Sequence, residues 1–488
     1  MDRRTFIQSA SAAALAAAVP ASQAEAAPVT SKTMGIQVGA VSFVDEGVDK
    51  VLDQFQNDAA VNTLFLATFS YGRGIEGRQV PGQPLPDHGK QEYDTNFHGG
   101  CFTAYDPKYF ADTAIKDFRA PDFGNYDVLE AVLPSARKRG IKTICWFEDV
   151  FRRDVPNVQQ AEEVELSGQK AETLCFNNPN YRNWLLGISE NWARSYDIDG
   201  IMWCSERSGA FQNMIRARGN RGSHVTCFCQ FCLAKAKARG IDPDRARQGF
   251  LELQKFVTAS FQGTRPVDGY YVTMWRLLLR YPELLAWEML WTDSLRDTYA
   301  AIYEKVKSIK PSLQVGWHIA HSDSFSPIYR AEQDLSAIAP HADFIKIVMY
   351  NNCAGERMAS YIETVGSTIY GDVPKQELLD FHYRVLNYEE RSLAEIPYTG
   401  LSADYVYRET KRAHDGLQGT KTLMFSGIDV DVPTAENHSK CTPFGVENAV
   451  VAAFHGGADG VVLSRKYSEM TLAHLKGVGS AVQKLGLT

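Results

Sequence analysis

Long uncharged stretches and an excess of positive charge are both missing from this sequence. After residue 26, no segment offers 18 uncharged apolar residues in a row, about the length that a membrane-spanning helix needs. Lys and Arg number 51 against 58 Asp and Glu, a net charge of -7, and no basic run provides the attraction that nucleic-acid binding requires. We therefore expect no membrane span and no nucleic-acid partner, and we expect a small or neutral substrate.

Motifs for several common enzyme chemistries are missing as well. The sequence has no G-x-S-x-G nucleophile elbow and no phosphate-binding P-loop. The segment from Gly72 to Gly77 matches G-x-G-x-x-G after an apolar run, but Pro81, Pro84 and Pro86 follow where a dinucleotide site needs a helix. We interpret this segment as the base of a lid loop, and serine-hydrolase and nucleotide chemistry are disfavoured.

Cysteine is scarce, with nine in 488 residues, and the odd number argues against a framework built only of disulfides. Three of the nine nevertheless fall within six positions, as Cys227-x-Cys229-x-x-Cys232. This spacing suits a single tetrahedral zinc ion, which needs a fourth ligand. A redox pair of Cys229 and Cys232 and simple burial among apolar side chains are the two alternatives. We favour a structural Zn²⁺ site.

The first 26 residues have the features of an export signal. They contain Arg3-Arg4-Thr5-Phe6, then an alanine-rich apolar run, then Ala24-Glu25-Ala26 as a cleavage site with small residues. A disordered alanine-rich tail is the alternative, but it explains neither the arginine pair nor the Ala-x-Ala end. We expect a twin-arginine signal peptide over residues 1–26 and a periplasmic or secreted mature protein.

Beyond the predicted signal, short apolar runs rich in β-branched and aromatic residues alternate with amphipathic helical segments. Runs that are apolar throughout are typical of parallel strands covered on both faces. Eight such runs occupy residues 35–43, 62–70, 141–149, 199–206, 313–321, 342–350, 421–430 and 458–467. Their number and the length of the chain favour a closed α/β structure, the (β/α)8 TIM barrel, over a doubly wound open sheet.

Two long segments interrupt this alternation after the second and fourth runs, at residues 71–125 and 207–281. In a barrel of this kind, both would lie above the C-terminal ends of the strands, where active sites are built. No linker or repeat divides the chain, so we expect a single catalytic domain over residues 34–488.

A stretch of about sixty residues resembles glycoside hydrolases of family 42 and barrel proteins similar to them. Cys175 is followed by Pro179-Asn180-Tyr181-Arg182 and a helical segment; the fourth run then ends at Glu206, and the Cys227 cluster follows. The resemblance implies that Cys175 is the fourth zinc ligand, with Cys101 as the competitor, and that Glu206 is the general acid/base.

Two positions depart from the family pattern. Ser205 stands where the family has Asn, and Asp429 near the end of the seventh run and Asp431 just after it stand where the family has its nucleophilic Glu. Glycoside hydrolysis generally needs two carboxyl groups that flank the scissile bond. We therefore predict Glu206 as one member of the pair, and Asp429 or Asp431 as the other.

Further polar and aromatic side chains lie at or near the ends of the predicted strands and are candidates for binding a carbohydrate substrate. They are Glu148, Asp149, Trp146, His318, His321, Tyr350, Asn351 and Arg465. Two alternatives to a glycosidase stay open. One is a carbohydrate-binding barrel without catalysis, and the other is a metal-dependent sugar isomerase or lyase that uses His318 and His321.

Overall fold

The computed structural model describes residues 32–71, 77–149, 154–216 and 225–487. The predicted signal peptide and most of the glycine motif that begins at Gly72 lie outside these residues. Within the described ranges, no helix combines the length and the hydrophobicity that crossing a bilayer demands.

Eight parallel strands close into a barrel, which confirms the predicted fold class. The strands of the structure are β1 (Thr33–Val38), β2 (Thr63–Tyr71), β3 (Gly99–Cys101), β4 (Lys142–Glu148), β5 (Glu162–Val164), β6 (Lys170–Leu174), β7 (Gly200–Cys204), β8 (Gln314–Ile319), β9 (Phe344–Val348), β10 (Leu423–Asp429) and β11 (Gly460–Ser464). The barrel follows the order β1-β2-β4-β7-β8-β9-β10-β11 and closes where β11 pairs in parallel with β1. Each of the eight predicted runs overlaps one of these barrel strands.

Helices surround the barrel and fill the long connections. They are α1 (Ala40–Glu46), α2 (Val48–Ala59), α3 (Val128–Lys138), α4 (Pro179–Ser195), α5 (Ala210–Ile215), α6 (Gln230–Ala238), α7 (Pro243–Phe261), α8 (Tyr270–Arg280), α9 (Glu283–Ile309), α10 (Pro327–Glu332), α11 (Leu335–Ile338), α12 (Asn351–Val365), α13 (Lys375–Leu386), α14 (Ile396–Thr399), α15 (Ala403–Gly416), α16 (Pro443–His455) and α17 (Leu472–Lys484).

The inside of the barrel is filled by large apolar side chains from alternate strand positions. The cluster comprises Phe65, Ala67, Ile144, Trp146, Met202, Phe344, Phe425 and Val462. Gly316 makes room for one of them, because a Cβ atom there would lie 2.2 Å from the ring of Phe344. The inside of the barrel is therefore a packed core rather than a pore.

Three segments add structure above the C-terminal ends of the strands. β3 extends the sheet by pairing antiparallel with β2. β5 and β6 form a separate antiparallel hairpin between β4 and α4, and α5 to α8 follow β7. The hairpin is absent from the predicted elements because its sequences, EEV and KAETL, lack an apolar pattern.

Candidate functional site

Glu206 lies two residues beyond β7, the fourth strand of the barrel, at the C-terminal mouth. Its side chain is 59% exposed, and its Oε1 atom lies 3.0 Å from Nε2 of His318. His318 belongs to β8, the next strand, where its backbone pairs with Cys204 of β7. The parallel register therefore brings the histidine to the carboxylate.

Lys346 of β9 completes a chain of hydrogen bonds with these two residues. Its Nζ atom is fully buried and lies 3.2 Å from Nδ1 of His318, 3.2 Å from Oε1 of Gln37 and 2.9 Å from the hydroxyl of Tyr350. An ammonium group only donates, so Nδ1 of His318 accepts and its Nε2–H donates to Glu206. These three residues thus form a chain of hydrogen bonds, Lys346–His318–Glu206, which we call the relay. It joins β9, β8 and the loop after β7.

The charges of this relay favour an ionised carboxylate beside a neutral imidazole. The Glu206 side chain is exposed to the cavity, but the protein around it displaces part of its solvation and so opposes its ionisation; the His318 hydrogen bond and the charges of Arg357 and Lys346 outweigh this effect and lower its pKa to about 2. Burial and the charge of Lys346 lower the pKa of His318 to about 4, against the opposing effect of Glu206. At neutral pH, therefore, the positive charges that favour ionised Glu206 come from Arg357 and Lys346.

Glu206 opens into a cavity of about 300 Å³. Its described lining includes Arg216 at the end of α5, His321 after β8, and Arg357 and Tyr361 on α12. Residues from three different connections thus converge at the mouth of the barrel, the usual place for the active site of a (β/α)8 enzyme. A volume of this size is at the lower end of the range for small-molecule sites, which is roughly 300 to 1,000 Å³.

His321 is held in a defined tautomer on the wall of this cavity. Arg357 donates from Nη1 to Nδ1 of the ring at 3.0 Å, and Nε2 lies 3.1 Å from the hydroxyl of Tyr405. Burial and the charge of Arg357 hold the pKa of His321 well below its usual value. Both His318 and His321 therefore use both ring nitrogens for protein partners beside positive charges, a setting that disfavours their service as ligands of a catalytic metal.

Asp429 and Asp431 both accept hydrogen bonds from backbone amides near helix starts. Asp429 ends β10, is 1% exposed, and accepts from the amides of Cys353 at 2.9 Å and Val432 at 3.0 Å. Burial raises its pKa despite these bonds. Asp431 accepts from the amide of Thr471 at 2.8 Å, just before α17. Among the described residues that line the cavity, neither aspartate appears.

Asp149 binds the two residues next to Glu206 in the chain. It is not among the described residues that line the cavity. Its Oδ2 atom accepts from the Ser205 hydroxyl at 2.9 Å and from Nε of Arg207 at 2.7 Å. Arg207 also pairs with Glu163 at 3.3 Å. The two residues that flank Glu206 are thus both fastened to Asp149, which fixes the backbone that carries the carboxylate. Glu148, one position earlier, is 8% exposed at the end of β4.

The other predicted binding residues are placed in packing or anchoring roles. Trp146 is 2% exposed inside the barrel core. Tyr350 receives the hydrogen bond of Lys346, and burial holds its pKa well above the usual value. Asn351 starts α12 and donates to the carbonyl of Leu401 at 3.3 Å. Arg465 follows β11 and pairs with Glu469.

Four cysteines form a buried cluster able to bind a metal ion. The Sγ atoms of Cys175, Cys227, Cys229 and Cys232 all lie within 4.8 Å of one another. Cys175 is 3.6 Å from Cys229 and 3.5 Å from Cys232, too far for disulfides, which need about 2.05 Å. Tetrahedral coordination with metal–sulfur bonds of about 2.3 Å places sulfurs about 3.8 Å apart. The donor set and its spacing therefore fit such an ion, and Cys175 is the cysteine that joins the predicted three.

The surroundings of this cluster donate hydrogen bonds to its sulfurs. The amide of Val164 lies 3.4 Å from Sγ of Cys227, and Nδ2 of Asn177 lies 3.3 Å from Sγ of Cys232. Such bonds orient and stabilise thiolate ligands. Cys101, the competing fourth ligand, lies instead on β3, where its thiol contacts Thr103.

Three cationic residues of the site, Lys346, Arg216 and Arg357, are not among the predicted ones. A signal exists for Lys346, because a charged residue inside the apolar run FIKIV is buried only when it has partners. No local pattern distinguishes the two arginines from those on solvated helix faces. They come together only through the closure of the barrel.

Comparisons with known proteins identify the fold of this chain but assign it to no family. No family model matches the chain, and no curated protein matches it. A β-galactosidase from the Antarctic haloarchaeon Halorubrum lacusprofundi aligns with a TM-score of 0.51 at 13% identity, over 92% of this chain and 57% of that one. The PgaB (BpsB) glycoside hydrolase domain from Bordetella bronchiseptica aligns with a TM-score of 0.49 at 12% identity, over 90% and 94% of the two chains.

A third solved structure, a GH42 β-galactosidase from G. stearothermophilus, has a TM-score of 0.44 at 13% identity, over 94% of this chain and 57% of that one. The chain therefore spans less than two thirds of either β-galactosidase. Identities this low establish the barrel fold alone; by their names, these three structures are a glycoside hydrolase domain and two β-galactosidases.

Proposed function

We propose that this chain is an exported, glycoside hydrolase-like enzyme that binds a carbohydrate at the barrel mouth and uses Glu206 as a catalytic carboxylate. The observation that carries the proposal is the setting of Glu206: a carboxylate at the end of the fourth barrel strand, open to a cavity and bound to His318. The β-galactosidase from Halorubrum lacusprofundi, which shares the fold, supports the same reaction class.

The low pKa of Glu206 favours a role as base or nucleophile in the free protein. A group that donates a proton at the start of the reaction needs a raised pKa, and Glu206 has the opposite. Asp429 is the partner that we propose for the proton-carrying role, because burial raises its pKa. The charge of Arg357 acts on both carboxyl groups, which suits a pair at the same end of the barrel. Asp431 is the weaker candidate, since it also binds His474 at 2.7 Å.

We further propose that the four-cysteine cluster holds a structural Zn²⁺ ion. Four thiolates leave no open position, so the ion supplies folding energy rather than chemistry. Its position suggests how it would serve the site. Thr226, next to Cys227, donates to Glu163 at 2.8 Å, and Glu163 pairs with Arg207, the neighbour of Glu206. An ordered cysteine loop would thereby support the backbone of the catalytic carboxylate.

The twin-arginine motif supports export of the mature chain to the periplasm or beyond. A fusion of residues 1–40 to a reporter that is active only after twin-arginine transport tests this part of the proposal. Replacement of Arg3 and Arg4 by Lys should abolish transport, and transport that persists in this variant would refute it.

The proposed reaction is tested by turnover of a panel of aryl glycosides with the wild type and Glu206→Gln. The variant should lose about 10²- to 10⁴-fold in kcat, as is typical when a positioned acid or base is removed, while sugar binding persists. Glu363→Gln, on α12 with a similar side-chain exposure of 57%, is the matched control and should be unaffected. Added azide should restore turnover to Glu206→Ala if Glu206 is the nucleophile. Full activity in Glu206→Gln would remove this residue from the mechanism.

A barrel that binds carbohydrate without catalysis is the second candidate. It is favoured by one observation: Glu206 is the only carboxylate among the described residues of the cavity lining, and both oxygens of Asp429 are committed to backbone amides. Under this alternative, sugars bind to the purified protein, and no glycoside of the panel is hydrolysed by the wild type.

A further inference from the structure

Two arginines line the cavity beside Glu206 without a carboxylate partner. Within the ranges that the structure describes, Arg216 and Arg357 take part in no ion pair. Arg216 has a distant hydrogen bond, 3.4 Å from Nη1 to the hydroxyl of Ser208, and Arg357 donates to the neutral ring of His321. Both guanidinium groups are partly shielded from solvent.

Two other half-buried arginines of this protein have carboxylate partners. Arg207 binds Asp149 and Glu163, and Arg330 binds Glu409 at 2.8 Å. The contrast matters because an unpaired charge that is removed from water is costly, and proteins normally provide a counter-charge. In the cavity the only counter-charge among the described lining residues is Glu206, against two guanidinium groups. The described lining residues therefore carry two positive charges and one negative charge.

The surroundings of Arg216 support the same conclusion. Burial lowers its pKa, and only the tyrosines Tyr361 and Tyr329 oppose this effect. Tyr361 and Phe325, which also line the cavity, provide aromatic faces. A ligand with both a sugar ring and a negative group would match these walls. The C–H faces of the ring would pack on the aromatic side chains, and the guanidinium groups would bind carboxylate or sulfate oxygens in pairs.

We infer that the sugar bound beside Glu206 carries an anionic substituent, a carboxylate or a sulfate ester, held by Arg216 and Arg357. This inference rests on the proposed function in one respect, that the cavity binds carbohydrate. It replaces the expectation of a small or neutral substrate by that of an acidic sugar. The overall charge of -7 does not oppose it, because the guanidinium groups of Arg216 and Arg357 line the cavity and act on a bound anion at short range.

Calorimetric titration of the full chain with acidic and neutral sugars tests the inference. D-glucuronate, D-galacturonate and galactose 6-sulfate are compared with D-glucose and D-galactose. At least one acidic sugar should bind at least about ten-fold more tightly than its neutral counterpart, as expected for a charge-assisted hydrogen bond, and added salt should weaken that difference. The uronates and the sulfate ester distinguish the two kinds of anionic group.

Variants connect the preference to the two arginines. Arg216→Met and Arg357→Met should each lower the affinity for the acidic sugar about ten-fold or more and leave the affinity for the neutral sugar unchanged. Arg391→Met, whose side chain is 66% exposed on the surface, should change neither. Thermal unfolding of each variant shows whether the fold is retained. Equal affinity for acidic and neutral sugars, or an acidic preference that survives both cavity variants, would overturn the inference.

Turnover separates this inference from the proposed hydrolysis. Nitrophenyl glucuronides and nitrophenyl glucosides are assayed in parallel with the binding measurements. Tight binding of uronates without hydrolysis of any glycoside supports the acidic-sugar site and contradicts the proposed reaction. Hydrolysis of glucosides and glucuronides at equal kcat/KM supports the reaction and contradicts the acidic-sugar site.

Discussion

The imidazole of His318 donates from Nε2 to Oε1 of Glu206 over 3.0 Å, and this bond joins β8 to the loop that follows β7. The direction of the bond is set on the far side of the ring, where Nδ1 accepts from buried Lys346. A lysine deep in the barrel thus determines how a carboxylate at the mouth is held. The consequence is an ionised Glu206 beside a neutral His318 at physiological pH.

Replacement of Lys346 should raise the pKa of Glu206 toward its ordinary value. In Lys346→Met, a positive charge that favours the ionised carboxylate is removed, so the pKa of Glu206 should rise from about 2 toward its ordinary value of 4.5. The acidic limb of the pH profile of kcat/KM should move to higher pH. Infrared titration of the carboxylate band measures the same shift when no substrate is at hand.

Methionine suits this test because it keeps most of the volume of lysine in a buried position. Lys411→Met, on the exposed face of α15 with 53% of the side chain accessible, is the control and should leave the profile in place. An unchanged acidic limb in a folded Lys346→Met protein would show that Lys346 does not act on Glu206.

Removal of one cysteine ligand should cost both metal and stability. We expect Cys229→Ser and Cys175→Ser to lose zinc, measured as metal per chain by mass spectrometry, and to unfold at lower temperature. Structural zinc sites contribute apparent binding free energies of about 10 to 16 kcal/mol, so the loss should exceed that of an ordinary core substitution. Activity should fall in parallel, because the cysteine loop supports Arg207 through Glu163.

Cys101→Ala is the matched control for the metal. This cysteine is also buried, but its thiol contacts Thr103 rather than the cluster. We expect one zinc per chain and a modest loss of stability, about 1 kcal/mol, from one lost buried contact. Zinc lost from Cys101→Ala but retained in Cys175→Ser would reverse the ligand assignment.

The parts of this protein that were predictable from sequence are those governed by local patterns. The eight barrel strands are short apolar runs covered on both faces, and their pattern survives in the structure. Glu206 stands out because it is the last residue of such a run. The relay does not, because it joins positions 112 and 28 residues apart, and only the parallel register brings them together. Whether Arg216 and Arg357 have carboxylate partners depends on which residues the fold brings near them, so no spacing along the chain identifies them.

A methyl group at Gly427 should disturb the relay by crowding the side chain of Lys346. A Cβ atom there would lie 2.7 Å from Cε of Lys346 and 3.0 Å from the carbonyl oxygen of Ile347. The lysine can move, but the carbonyl belongs to β9 and cannot. We expect Gly427→Ala to destabilise the fold by about 1 to 3 kcal/mol, as overpacked cores do, and to raise the pKa of Glu206.

Gly416→Ala is the control for this substitution. Gly416 ends α15, and its added Cβ would meet only Leu335, at an ordinary contact distance of 3.6 Å. Chemical denaturation of both variants should show no loss, or a gain of up to about 1 kcal/mol, for the control. Equal stability of the two variants would contradict the close packing of Lys346 against Gly427.

A buried glutamate pair should make the stability of the protein fall as pH rises. Glu332 ends α10, is 6% exposed, and accepts from Nε2 of Gln212 at 2.9 Å. Burial raises its pKa to about 7, and burial and the charge of Glu332 also raise the pKa of the neighbouring Glu288.

The sign of the effect follows from which state holds the proton. Between pH 4.5, the ordinary pKa of Glu332, and about 7, the folded protein keeps a proton that the unfolded chain has released. Stability that is fully present below pH 4.5 is therefore lost through this window and is lowest above pH 7. Glu332→Gln is neutral at every pH and can still accept the bond from Gln212. It should gain about 1 to 3 kcal/mol at pH 8 and almost nothing at pH 4.5. Urea unfolding at both pH values measures this, with surface Glu363→Gln as the control; a gain of equal size at both pH values would place its cause outside the titration of Glu332.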